Sequence, residues 1–177
     1  MPISLYDALV PSWLQIIGST RALLDKAEAF GAEKGCTSDE IIAARITDDM
    51  LPFNHQVRWV ASHSIGAIDG VRAGVFFPDP DQPPADYASL KALLDTAITR
   101  LKEVTAEEME GFIGRDMRFD IPSMDLSIPF TAENFLLSFS QPNFYFHATT
   151  AYDIMRSRGV VIGKRDFLGA MRIKTAA

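Results

Sequence analysis

At 177 residues the chain is the size of one domain and is long enough to bury about two thirds of the surface its unfolded form exposes. An apolar share of 47% with 23% charged residues excludes disordered and fibrous classes, and a net charge of −6 with scattered Lys and Arg leaves no basic stripe for a phosphate backbone. No apolar run approaches the ~18 residues that span a bilayer, and Met1 to Asp7 lacks the charged and apolar regions of a secretory leader. The expectation is a cytoplasmic protein whose partners include neither nucleic acid nor membrane.

Along the chain, Leu5, Leu9, Trp13, Ile16, Thr20, Leu23, Ala27 and Phe30 recur every three or four positions, which predicts a first helix over about 4–33. Pro11 removes a backbone donor inside that run, so either a short lead-in precedes the helix or the helix kinks there. Gly31 and Gly35 mark its end. Cys36, the only cysteine, excludes an internal disulfide and any multi-cysteine metal site. It falls in a turn, without the flanking His or carboxylate motif that would activate a nucleophile.

Thr37 and Glu40 have the spacing of a capping box and open a short helix through Ile46. The second long helix is predicted over 51–72, with Phe53, Val57, Val60, Ser64, Ile68 and Val71 on one stripe and Asp48 and Asp49 near its positive end. The proline-rich run from Pro78 to Pro84 is a stiff loop. A third helix over 86–104 turns Tyr87, Leu90, Leu94, Ala97, Leu101 and Val104 inward, and Thr105 with Glu108 has the spacing of a second capping box.

Alternation on either side of Pro122 and Ser123 predicts a β-hairpin over about 116–129, confined by its prolines to an edge. The fourth helix spans about 131–158, kinked at Pro142 and closed by Gly159, and residues 160–177 form a docking tail. Within that tail Lys164 and Arg165 can hold an anion, or Asp166 can cap a turn while Phe167 and Leu168 plug the core. The whole chain, 1–177, reads as one all-α domain, a four-helix bundle with a long crossover between its second and third helices and a small β-hairpin before the last.

At 100° per residue, Leu136, Phe139, Asn143, His147, Thr150 and Ile154 fall on one stripe of the fourth helix, so Asn143 and His147 face the core. A buried amide and imidazole without partners cost about 1–3 kcal/mol each. Gln56, at the boundary of the second helix's stripe, is the expected partner of the imidazole. His63 lies one heptad from Gln56 and can join His147, whereas His55 points to solvent. Trp59, Tyr145 and Tyr152 lie off the apolar stripes and point to a homodimer interface.

The run Pro142-Asn143-Phe144-Tyr145-Phe146-His147-Ala148-Thr149-Thr150-Ala151-Tyr152-Asp153-Ile154, then Gly163-Lys164-Arg165-Asp166-Phe167-Leu168-Gly169, resembles the uncharacterised domain of unknown function family nineteen-ninety-three. The opening Ile3-Ser4-Leu5-Tyr6-Asp7 with Val10-Pro11 is similar to that family's start. The resemblance implies membership of the DinB/YfiT-like four-helix-bundle superfamily, often dimeric. Many of its members hold a divalent metal through three histidines, and some are thiol-dependent transferases. By position Gln56, Asn143 and His147 occupy those three places, and two of them are amides, which are weak ligands.

The resemblance therefore implies a degenerate relative that binds a small molecule in a polar pocket lined by Gln56, Asn143 and His147. The alternative is a metal-dependent hydrolase or thiol transferase in which Zn, Ni or Mn sits on His147 with help from His63, or His147 acts as base.

Overall fold

The computed structural model describes residues 3–78 and 81–174. The protein is mostly helical, with one small three-stranded sheet. Helix α1 (Leu5–Lys34) is a single helix. Ser4 caps it by accepting the Asp7 N–H, and Gly35, at φ 70°, ends it by turning its N–H back to the Gly31 carbonyl. Pro11 is accommodated within α1, and no separate lead-in segment forms. The short α2 (Ser38–Ile42) carries the complete Thr37/Glu40 capping box and stops at Ile42, four residues earlier than the sequence suggests.

The second long helix is composite. It consists of α3 (Phe53–Ala61), a π-helical turn over Ser62–Gly66, and α4 (Ala67–Ala73). Pro52 fills its N-cap position, so Asp48 and Asp49 lie outside the first turn, and Asp49 instead accepts the Thr47 hydroxyl. Gly74, at φ 73°, reverses the chain into β1 (Val75–Phe76). The crossover that follows is braced on α3, since Asn54 donates to the Pro84 carbonyl and Arg58 to that of Asp81.

Asp86 caps α5 (Tyr87–Glu103), and the predicted inner face of this helix is buried throughout. Thr105 caps α6 (Ala106–Glu110) from one side only, because the Glu108 carboxylate is drawn to Arg72 rather than back to the Thr105 backbone.

The predicted hairpin forms as β2 (Asp116–Ile121) and β3 (Leu126–Thr131) around a turn at Pro122–Met124. A third strand, β1, joins in parallel, with Val75 opposite Arg118 and Phe76 opposite Phe119. Two residues of strand after Gly74 carry no periodicity from which β1 could be predicted. Pro129 sits in β3, the edge strand, where a missing N–H breaks no ladder.

The last long helix is composite in the same way: α7 (Ala132–Asn134), a π-helical turn over Phe135–Ser140, and α8 (Gln141–Ser157). Pro142 is the second residue of α8, one residue past the π turn, which absorbs the irregularity expected as a kink. The tail folds into α9 (Lys164–Leu168).

Helix α1 packs against α5 and α8, and α3 packs against the same two, around a core in which Trp13, Phe53, Phe135 and Phe144 are fully buried. Among the described residues no helix is long and apolar enough to cross a membrane. In the tail, Asp166 accepts the Gly163 N–H and pairs with Lys26, Phe167 meets the Tyr152 ring edge-on, and Gln15 donates to the Leu168 carbonyl. These contacts dock the tail, while Lys164 and Arg165 remain exposed. Residues 175–177 of the predicted tail lie outside the described residues.

Candidate functional site

Where the two composite helices face each other beside the sheet, they line an open cavity of about 250 Å³. Its walls are mainly rings. Trp59 and His63 come from the second long helix, Phe139, Asn143 and His147 from the last, and Phe76 and Phe119 from the paired strands β1 and β2. Leu51 and Pro78 complete the lining. Among the described residues no charged side chain lines it.

Both π-helical turns contribute directly: His63 lies in the first and Phe139 in the second. A π turn inserts one extra residue into a helix and displaces the side chains around it, and such turns cluster at functional sites. In the last helix the fully buried line runs through Ser140, Phe144, Ala148 and Ala151. Asn143, placed on the core stripe by uniform 100° steps, is half-buried on the cavity flank instead.

His147 is held firmly. Its Nδ1 lies 2.7 Å from Gln56 Oε1, and Gln56 Nε2 donates to the Leu51 carbonyl at 2.9 Å. Because the amide nitrogen is committed to a carbonyl, Oε1 is the atom turned to the imidazole, so Nδ1 carries the proton. The lone pair is thereby assigned to Nε2, which has no partner among the described residues. Gln56 is buried behind His147 and is not itself on the wall, so the expected pocket residue acts as a positioning residue.

The His63 ring lies 5.7 Å from that of His147 and only 9° from parallel. Trp59 completes a near-equilateral triangle, 5.5 Å from His63 and 5.9 Å from His147. Burial pushes His63 down to about 3, helped by the neighbouring His147, and burial alone pushes His147 down to about 4. Both imidazoles are therefore neutral at pH 7. His63 Nδ1 is sealed and has no partner among the described residues. Orphaned buried N–H groups are rarer than orphaned acceptors, which puts the proton on the other nitrogen, Nε2.

Asn143 donates through Nδ2 to the Phe139 carbonyl at 2.8 Å, leaving its oxygen as a further hydrogen-bond acceptor at the wall, though a weak metal ligand. His55, expected in solvent, is half-buried; burial lowers its pKa first and the Arg58 charge second, with a hydrogen bond to Gln82 opposing them. It does not line the cavity. Trp59, assigned from its helical phase to an outer surface, is a wall of the cavity. Tyr145 packs edge-on against Phe144, and Tyr152 against Phe167, so all three aromatics have partners within the chain.

The family model described as Domain of unknown function (DUF1993) matches residues 5–168. The chain belongs to that family. No curated protein matches. Among solved structures, the crystal structure of a DinB family member protein from Shewanella denitrificans is similar to this chain, with a TM-score of 0.81 and 26% identity. That match covers 97% of this chain and 96% of that one.

The side chains at the three places where the superfamily carries histidines do not fit a divalent ion. Gln56 Oε1 accepts from His147, Gln56 Nε2 and Asn143 Nδ2 are spent on carbonyls, and a single imidazole remains. Among the described residues no group of three His, Cys, Asp or Glu side chains is placed to hold a metal. His63 adds a second imidazole, but two rings can share an ion only if both ring planes pass through it, and neutral amides add little.

Proposed function

We propose that the chain is a DinB-like four-helix bundle with a long crossover, and that it binds a small organic molecule in the cavity between its second and last long helices. The observation that carries this is the Gln56–His147 pair. A buried amide is used to fix one tautomer of a neutral imidazole beside an open, ring-lined cavity, and a purely structural histidine needs no free lone pair at a cavity wall. Two π turns aimed at the same cavity support the same reading. The metal-dependent hydrolase or thiol transferase reading loses its main support with the missing ligands.

A fragment screen by thermal shift tests the proposal, because a ligand of the native state raises Tm by mass action. Asn143→Phe, on a half-buried helical position, fills the cavity mouth while sparing the core. Compounds that stabilise the wild type and lose their effect on the filled variant are expected. A screen in which no compound distinguishes the two proteins counts against a binding cavity.

We also propose association into a homodimer, supported by the exposed ring of Phe146 beside His147. Size-exclusion chromatography with light scattering tests it, and a monomer at high concentration ends it.

A further inference from the structure

The cavity's polar atoms and walls together restrict what can occupy it, if it holds a small molecule as proposed above. His147 Nε2 offers a lone pair, fixed there by Gln56 on the opposite nitrogen. His63 Nε2 offers a proton, because its buried Nδ1 has no partner among the described residues. The two rings are nearly parallel at 5.7 Å, so one acceptor and one donor are presented from neighbouring side chains of the same wall.

The remaining walls, Trp59, Phe76, Phe119 and Phe139, are flat and apolar and favour a flat partner. Among the described residues no Lys, Arg, Asp or Glu lines the cavity, so a charged ligand would lose hydration there without gaining a counter-charge from them. The cavity, about 250 Å³, exceeds the ~150 Å³ of an apolar cavity that takes up benzene, which matches one or two fused rings.

We infer that the ligand is a neutral, planar heterocycle with an N–H donor next to a carbonyl or ring-nitrogen acceptor, a lactam or azole. Its N–H donates to His147 Nε2, its acceptor takes the His63 Nε2 proton, and its faces lie against the surrounding rings. A quaternary ammonium would find aromatic faces here too. It would also meet the N–H of His63, with no carboxylate among the described lining residues to balance its charge.

Calorimetric titration with four probes tests this: 2-quinolone, N-methyl-2-quinolone, 4-methyl-2-quinolone and benzyltrimethylammonium. Wild type is expected to bind 2-quinolone and its 4-methyl analogue at least about tenfold more tightly than the N-methyl compound, which has the same bulk and no donor. His147→Phe, which keeps a ring in place, is expected to erase that preference. Equal affinity of wild type for 2-quinolone and N-methyl-2-quinolone overturns the inference and leaves small-molecule binding standing. Tightest binding of the ammonium overturns it in favour of a cation cage. Binding of none of the four also overturns it, and the wider reading is then judged by the fragment screen. The wild-type comparison decides the matter even if the variant does not fold.

Discussion

Gln56 joins two parts of the protein through a single amide: its Nε2 holds the Leu51 carbonyl just before α3, and its Oε1 lies 2.7 Å from His147 Nδ1 on α8. The helix start and the imidazole are set by the same side chain. Gln56→Met keeps the volume and removes both bonds, leaving the Leu51 carbonyl and the buried N–H of His147 without their partner. Its cost should be about 1–3 kcal/mol in urea unfolding. The variant should also release the tautomer of His147, so the preference for 2-quinolone over its N-methyl analogue should shrink. Unchanged stability would mean that the two bonds do not hold in solution.

Neutral burial of two histidines makes stability depend on pH. His63 titrates at about 3 and His147 at about 4 in the folded chain, against about 6.5 when unfolded, so the unfolded chain binds more protons between those limits. Their contribution is complete above about pH 6.5 and is lost as pH falls toward 4 and then 3. Each should add up to about 1.4 kcal/mol per pH unit to the slope. Urea unfolding from pH 7 to 4.5 should be less steeply pH-dependent in His63→Phe/His147→Phe than in wild type. Identical slopes would contradict neutral burial.

Gly70 lets β1 approach its helix. A Cβ there would stand 2.9 Å from Phe76 Cβ, closer than real carbons pack. Gly70→Ala gains up to about 1 kcal/mol in helix propensity and loses about 1–3 kcal/mol to the clash. Net destabilisation and weaker binding of 2-quinolone are expected, since Phe76 is a cavity wall. A stabilised variant with wild-type binding would show that the strand is free to move.

The π turn over Phe135–Ser140 is expected to hold one residue more than an α-helix needs. Deleting the exposed Ser138 should restore regular α-helix, keep the downstream core in phase and withdraw Phe139 from the cavity. Circular dichroism should report a cooperative melt, while titration should report lost binding. Loss of folding would show that the turn belongs to the core rather than to the site.

The helices were legible because their apolar stripes repeat at helical spacing, and the buried residues of α1 and α5 follow those stripes closely. The partnership of Gln56 with His147, and the place of His63 beside them, were also legible from heptad spacing and the physical need of a buried imidazole for a partner. The cavity walls were not. Trp59 was assigned outward because helical phase shows which residues share a face, not that a sheet stands off the helix and leaves a hollow there. Phe76 and Phe119 meet only through the parallel pairing of β1 with β2, which no local pattern announces. Asn143 lies at the edge of the buried face of α8, whose centre runs through Phe144, Ala148 and Ala151, on the flank that opens to the cavity.

The tautomer of His147 is the point on which the rest depends. A long-range proton–nitrogen correlation spectrum of histidine-labelled protein at pH 7 reads it directly, with the resonance assigned by comparison with His147→Phe. The expected result is a neutral ring with the proton on Nδ1 and a bare Nε2, whose nitrogen resonance moves when 2-quinolone is added. A ring protonated on Nε2, or an imidazolium at pH 7, would contradict it.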